Sequence, residues 1–227
     1  MRDLDVIFED NHLLCINKPA GLPTQPDVKG GASALESART YLKLKYNKPG
    51  NVYLGMVHRL DKPVSGVLLF AKTSKAAKRL SAQFRERHVK KHYLAVVEGR
   101  IRQQANVIES FVWRDEGACV TLVSDVPTKN AKPAKLEFFV LAVRKDYSLV
   151  EIHMLTGRKH QIRAQLSFIG HPIVGDNRYG GKARLKSGSI ALQSSSLEIE
   201  HPTKHSIMTF SIEPPGTYPW DLFTGLL

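Results

Sequence analysis

The sequence predicts a strand-rich α+β fold organised as a single domain over residues 1–227. Three observations carry this. Short apolar runs and two-residue alternations recur along the chain, as strands require. Three other segments repeat apolar residues at three- and four-residue spacing, as amphipathic helices require. The apolar content of 42% is too high for a disordered chain, and 227 residues suffice for one substantial domain, or two small ones, with a buried core.

From the N-terminus, Leu13-Leu14-Cys15-Ile16 reads as a buried strand. It ends in the turn chemistry of Lys18-Pro19-Ala20-Gly21-Leu22-Pro23. Residues 32–46 place Leu35, Ala38 and Leu42 on one stripe and predict a helix, broken by Lys48-Pro49-Gly50-Asn51. Residues 52–57 and 66–72 read as strands on either side of His58-Arg59-Leu60-Asp61-Lys62-Pro63. Pro63 removes a backbone donor and keeps Lys62 out of helical geometry, so Asp61 is expected on a loop. Thr73 or Ser74 then caps a helix that ends near Arg87. Its apolar stripe is Ala76, Ala77, Leu80 and Phe84, with Lys75, Lys78, Arg79 and Arg85 mostly off the stripe.

Residues 93–97 form a strong strand with Tyr93, Ala95 and Val97 on one face and Leu94 and Val96 on the other. Residues 138–143 and 149–155 read as a strand pair joined near 144–148. Thr156-Gly157-Arg158 turns into a helix over 159–169, with Ile162, Leu166 and Ile169 as its stripe and Gly170 closing it. The last forty residues alternate short strands with turns such as Glu213-Pro214-Pro215-Gly216. No internal repeat, low-complexity tract or linker interrupts this order.

The formal charge of +12 is unevenly spread. Residues 72–103 hold ten basic residues against Glu86 and Glu98, and residues 157–186 hold seven against Asp176. Both ends of the chain are net acidic, residues 1–36 at −3 and residues 187–227 at −3. Two separate basic blocks are the electrostatic footprint of a nucleic acid more than of a single solvated helix face. A membrane surface would want large aromatics opposite the charges on an amphipathic segment, and none stands out. The N-terminus lacks the layout of a secretory signal, and apolar runs such as 67–71 are too short to span a bilayer. Two cysteines, Cys15 and Cys119, cannot build a disulfide framework. A soluble protein of a reducing compartment, cytoplasmic or organellar, is expected, with the cytoplasm as the first choice.

Most catalytic classes lack their residues. The nine histidines show no metal-ligand spacing, His12, His171 and His201 read as turn or surface residues, and no metal site is expected. Gly30-Gly31 and Gly180-Gly181 lack the phosphate-loop frame, so no nucleotide cofactor is expected. Cys15 lies in an apolar run, where an inert core thiol is the ordinary reading. One constellation remains: Asp61 between Arg59 and Lys62, the strand tyrosine Tyr93, and the helix block Gly157-Arg158-Lys159-His160-Gln161-Ile162-Arg163. A carboxylate, an aromatic ring and an arginine suit a flat, uncharged base: the ring stacks and the arginine keeps the carboxylate ionised. A lone aspartate beside basic residues is most often a surface ion pair, and spacing alone does not decide between the two readings.

At these residues the chain resembles the RluA-type family of pseudouridine synthases. The likeness runs through Asn17-Lys18-Pro19-Ala20-Gly21-Leu22, then His58-Arg59-Leu60-Asp61-Lys62-Pro63-Val64-Ser65-Gly66 and Ala71-Lys72-Thr73. It continues in Lys91-His92-Tyr93-Leu94-Ala95-Val96-Val97-Glu98-Gly99 and Thr156-Gly157-Arg158-Lys159-His160-Gln161-Ile162-Arg163. It closes with Gly170-His171-Pro172-Ile173-Val174-Gly175-Asp176 and Tyr179-Gly180. The motifs stand in family order from about residue 6 to residue 215.

The resemblance implies an α+β pseudouridine synthase fold: a mixed, mostly antiparallel central sheet flanked by helices and loops, with a central catalytic cleft. It implies cofactor-independent isomerisation of uridine to pseudouridine in ribosomal or transfer RNA. Asp61 matches the family's essential aspartate, whose attack on sugar or base, or removal of a sugar proton, the sequence leaves open. Tyr93 matches the tyrosine that stacks on the base, and Arg163 the arginine that pairs with the aspartate. Arg59 matches the residue that fills the place of the extruded base, and Leu192 the apolar residue under it. Base extrusion costs about a few kcal/mol, which such a replacement offsets. With Arg59, Lys78 and Arg79 of the basic helix face are the expected RNA contacts. Val64, Ala164-Gln165 and Gln193-Ser194 depart from the commoner family residues and are expected to bear on substrate choice. No separate N-terminal RNA-binding domain, of the kind many relatives carry, is expected. A monomer acting on a short stem-loop is therefore expected. Two alternatives compete: a catalytically inactive RNA-binding protein on the same fold, which would not need the carboxylate, and a methyltransferase or deaminase, whose glycines or zinc ligands are missing.

Overall fold

The computed structural model describes residues 4–26, 30–185 and 188–226. Lys186, the last charge of the second basic block, and residues 1–3 of the acidic N-terminus lie outside the described residues. The chain falls into two compact units, Met1–Lys91 with Ser194–Ile212, and His92–Gln193 with Glu213–Leu227. The first unit begins with β1 (Val6–Glu9), β2 (Leu13–Lys18), α1 (Ala34–Lys45), β3 (Gly55–Met56), β4 (Ser65–Ala71) and α2 (Ser74–Glu86). The second holds β5 (Lys90–Glu98, from His92 on), β6 (Ala105–Asp115), β7 (Val120–Ser124), β8 (Lys132–Arg144), β9 (Tyr147–Met154) and α3 (Gln161–Phe168). The chain then returns to the first unit with β10 (Leu192–Glu200, from Ser194 on) and β11 (Ile207–Ser211).

In the first unit the strand order is β1-β2-β4-β10, with β11 on β10 and β3 on β4. The described registers are antiparallel, from Val6↔Ile16 to Leu13↔Ala71 and Leu197↔Phe210. Leu13 to Ile16 and Val67 to Ala71 have no exposed surface, so both faces of these strands are covered. This is why they read as unbroken apolar runs rather than alternations. Leu13, Cys15, Val67, Leu69 and Ala71 share one cluster with Ala76 and Leu80 of α2 and with Leu197, Ile199 and Phe210. Burying a side chain such as Leu80 contributes about 2–5 kcal/mol against alanine. The Thr73 hydroxyl accepts the Ala76 N–H and starts α2, as the sequence predicts. Residues 52–57 form a strand only at Gly55–Met56, because Gly55 already faces Ala71, the last residue of β4, and earlier residues have no strand opposite.

In the second unit the order is β5-β9-β8-β6-β7, antiparallel at every described register. The β8–β9 hairpin stands where the alternation places it, with Arg144 opposite Tyr147. The β6–β7 hairpin and the first half of β8 carry weaker signals. The inward row of β6 is Ile108, Ser110 and Val112, so a serine interrupts the apolar alternation. Pro133 makes the start of β8 read as a turn; it is tolerated because β9 ends opposite Leu136, leaving Pro133 a strand on one side only. α3 lies against β6 and β7.

Candidate active site

Asp61 stands on the loop that returns the chain from β3 to β4, as Pro63 requires. The loop is clamped by the segment after β2. The Thr24 hydroxyl donates to the Leu60 carbonyl (2.8 Å) and accepts the Leu60 N–H (3.1 Å). The Gly21 N–H donates to the Lys62 carbonyl at 2.8 Å, and the Val64 N–H closes a turn on the Asp61 carbonyl at 3.0 Å. Leu60 and Val64 are buried on either side, Asp61 is half-buried, and Arg59 is exposed.

Lys18 is the centre of this clamp. The sequence presents it as part of a turn, yet it has no exposed surface. Its ammonium donates to the carbonyls of Pro19 (3.0 Å), Leu22 (2.7 Å) and Lys62 (3.4 Å), three acceptors for three protons. Burial pushes its pKa down to about 8, against the pull of the Asp61 carboxylate. The charge beside the reactive loop is thus held by oriented backbone dipoles.

The other end of the loop is fixed through His58. Its Nε2 accepts the Leu69 N–H at 2.9 Å, and its ring stacks on Phe84 of α2 at 4.9 Å. Burial, with the positive charge of Lys91 adding to it, pushes the His58 pKa down to about 3, so the acceptor nitrogen stays unprotonated. Gly66 lies next in β4 at φ +122°, and any Cβ there would run into the Ser194 backbone. Only glycine lets β4 pass so close.

Tyr93 and Arg163 belong to the second unit. Tyr93 is half-buried in β5, opposite Ile152 of β9. Arg163 projects from the first turn of α3 and is 5% exposed. It donates through Nε to Asp176 Oδ2 (2.6 Å) and through a terminal nitrogen to Oδ1 (2.9 Å), a bidentate pair with a carboxylate 2% exposed. The guanidinium lies over the Tyr179 ring at 4.9 Å. The Tyr179 hydroxyl accepts the Thr121 N–H at 2.7 Å and pairs with His160 Nδ1 at 2.8 Å. His160 is the residue before α3 and stands in the left-handed region, φ +54°. Asp176 and Tyr179 stand out in the sequence only as parts of the family motifs; their grip on Arg163 is a finding of the structure.

Two departures from the family residues do more than border a site. Gln165, fully buried, shares its two amide protons among the Ser110 hydroxyl (2.9 Å) and the Ala134 (3.2 Å) and Ile108 (3.3 Å) carbonyls, and it accepts from Gln161 (3.0 Å). It ties α3 to β6 and β8. Gln193 is buried and donates to the Glu213 carbonyl at 3.1 Å. Leu192, the residue expected under the base, is 3% exposed.

Of the expected RNA contacts, Lys78 is exposed on α2. Arg79 is half-buried and donates to the Pro202 carbonyl, so part of its role is to hold α2 to the turn after β10. The reading of His201 as a turn or surface residue is corrected: it is fully buried, and its Nε2 pairs with Asp10 at 2.8 Å. Its Nδ1 accepts the Lys204 N–H at 2.9 Å. Among the described residues, one group offers three metal-capable donors together, His92, Glu151 and His153, which their separation along the chain conceals.

Comparison with known proteins bears on the family and the fold. The family model described as RNA pseudouridylate synthase matches residues 12–168. The chain is 36% identical over 208 residues to a Bacillus subtilis (strain 168) protein named uncharacterized RNA pseudouridine synthase YhcT, covering 88% of this chain and 65% of that one. It is 33% identical over 213 residues to ribosomal large subunit pseudouridine synthase C of Vibrio parahaemolyticus serotype O3:K6 (strain RIMD 2210633), covering 89% and 63%. It therefore spans just under two thirds of the length of these two relatives. Among solved structures, human RNA pseudouridylate synthase domain containing 1 superposes with a TM-score of 0.74 at 25% identity, covering 97% of this chain and 86% of that one. With the α+β architecture, the clamped aspartate loop and a match over well over half its length, the chain belongs to the RNA pseudouridylate synthase family.

Proposed function

We propose that this protein isomerises uridine to pseudouridine in RNA without a cofactor, acting through residues 1–227 as one catalytic domain. The observation that carries the reading is the Asp61 loop, held at both ends and from below by Thr24, His58 and Lys18, inside the segment the family model matches. Catalysis at a glycosidic bond needs a carboxylate of fixed position, and this loop supplies one. In this reading Asp61 is the essential carboxylate, acting at the sugar or at the base. Tyr93 stacks on the uracil while its N1–C1′ bond is exchanged for C5–C1′. Arg163 stabilises the aspartate, and Arg59 fills the gap the extruded base leaves.

Ribosomal RNA is the favoured substrate, because a relative named as a ribosomal large subunit synthase aligns over 89% of this chain. A short stem-loop bound by a monomer is the finer expectation, with Lys78 and Arg79 on backbone phosphates. A cytoplasmic location accompanies it, supported by two free thiols, Cys15 buried and Cys119 exposed. Among the described residues no helix is long and apolar enough to cross a membrane.

The test is tritium release from RNA labelled at uridine C5, using separated ribosomal and transfer RNA. Wild-type protein is expected to release label from one pool, and Asp61→Asn to release none. No release from either pool would favour an inactive RNA-binding protein. Equal release from both proteins would remove Asp61 from the chemistry.

A further inference from the structure

We propose that His92, Glu151 and His153 form a binding site for a divalent late transition metal of the zinc class. The proposal does not depend on the reaction proposed above. The β5–β9 register sets His92 directly opposite His153, and Glu151 lies two residues before His153 on the same face of β9. One donor atom from each residue lies within 4.8 Å of the other two. Glu151 Oε1 is 3.6 Å from His92 Nδ1 and 3.3 Å from His153 Nε2. In a tetrahedral site with metal–ligand distances of about 2.0–2.1 Å, neighbouring donors stand about 3.3–3.4 Å apart. The carboxylate is therefore already at working distance from both imidazoles.

The imidazole rings stack with centroids 4.1 Å apart and planes 13° apart. Converging on one ion takes rotation of the rings, and side chains 33% and 30% exposed have room for it. Phe139, 5.0 Å from the His153 ring, walls one side. Glu137 faces His153 across the β8–β9 pair and adds a second negative charge beside the cluster. Two imidazoles and a carboxylate suit zinc, cobalt, nickel or copper, and disfavour magnesium and calcium, which prefer all-oxygen sites. Three protein ligands leave a coordination position for water. Because the ligands come from two hydrogen-bonded strands, the ion would clip β5 to β9 at the residue next to Tyr93.

The experiment titrates zinc chloride into tag-free, metal-stripped full-length protein by calorimetry, with cobalt chloride absorption as an optical readout. Wild type, His153→Gln, His92→Gln and the double variant are compared, and circular dichroism verifies their folding. Wild type is expected to bind one zinc with a saturable rise in thermal midpoint, magnesium to give none, and each single variant to bind at least about tenfold more weakly. Cobalt should give a tetrahedral visible band in wild type that the double variant lacks. Equal zinc affinity in wild type and the double variant, or no zinc binding by wild type, overturns the proposal and leaves a histidine–glutamate ion-pair cluster only. If a His→Gln variant fails to fold, the cobalt band decides in its place. A tetrahedral band in wild type that Glu151→Gln weakens sustains the site, and an unchanged or missing band overturns it.

Discussion

Lys18 in the first unit and Arg163 in the second are both buried cations, and they are held in opposite ways. The Lys18 ammonium is surrounded by three backbone carbonyls, neutral dipoles that no single side-chain change removes. The Arg163 guanidinium forms a bidentate pair with a buried carboxylate, Asp176. The first arrangement leaves the cation weakly compensated, which is why burial pushes Lys18 down to about 8. The second sets a full negative charge against the guanidinium, through two charge-assisted bonds to one side chain. A buried ammonium can thus pin a loop through backbone carbonyls, whereas a fixed arginine orientation needs a planar partner.

The comparison breaks most visibly at Asp176. Asp176→Ala removes the carboxylate from a buried guanidinium and should lower stability by about 3–5 kcal/mol, measured as the urea unfolding free energy. Replacing both partners with apolar residues, Arg163→Met with Asp176→Leu, should recover part of that loss. A double variant no more stable than the single one would show that the pair is not the unit that matters.

Lys18→Met should cost less, about 1–3 kcal/mol, because it leaves carbonyls unsatisfied without stranding a charge. It also carries a pH signature. The folded-state pKa of about 8 lies below the ordinary lysine value of 10.5. Between them the unfolded chain holds a proton the native state has lost, so wild-type stability should gain a positive increment as pH rises from 8 to 10.5. That increment disappears as pH falls back through 8, and Lys18→Met should lack it. Parallel pH profiles for the two proteins would contradict a buried, carbonyl-bound ammonium.

The smallest effect sharpens the contrast between buried and exposed cations. Lys78→Ala should leave stability within about 0.5 kcal/mol while weakening RNA binding with a salt slope shallower by about 0.7–0.9. Arg79→Ala should alter both, losing about 1 kcal/mol with its bond to Pro202. An unchanged salt slope for Lys78→Ala would return that helix face to solvent.

Several parts of this picture are legible from the chain alone. The Thr73 cap and the stripe through Ala76 and Leu80 specify α2, and Pro63 places Asp61 on a loop. The apolar runs specify β2 and β4 because both of their faces are buried. These signals are local: each depends on residues within one or two turns of the chain. The motif order points to the family for a related reason, since contiguous stretches around Asp61, Tyr93 and Arg163 each keep their neighbours.

The sequence by itself determined the three helices, the strands of the apolar runs and of the clear alternations, the loop that bears Asp61, and the family, but not the β6–β7 hairpin. The tertiary structure decided which groups meet. Lys18 reads as a turn residue until carbonyls at 19, 22 and 62 converge on it. Gln165 reads as a neighbour of the site until β6 and β8 present acceptors to its amide. His201 reads as a surface residue until Asp10, far away in the chain, covers it. His92 and His153 become partners only through strand register. The physical reason is common to all four. Periodicity reports which face of an element is buried, but the partner of a polar group is set by segments far apart in the chain, loops as well as registered strands, which no local pattern records.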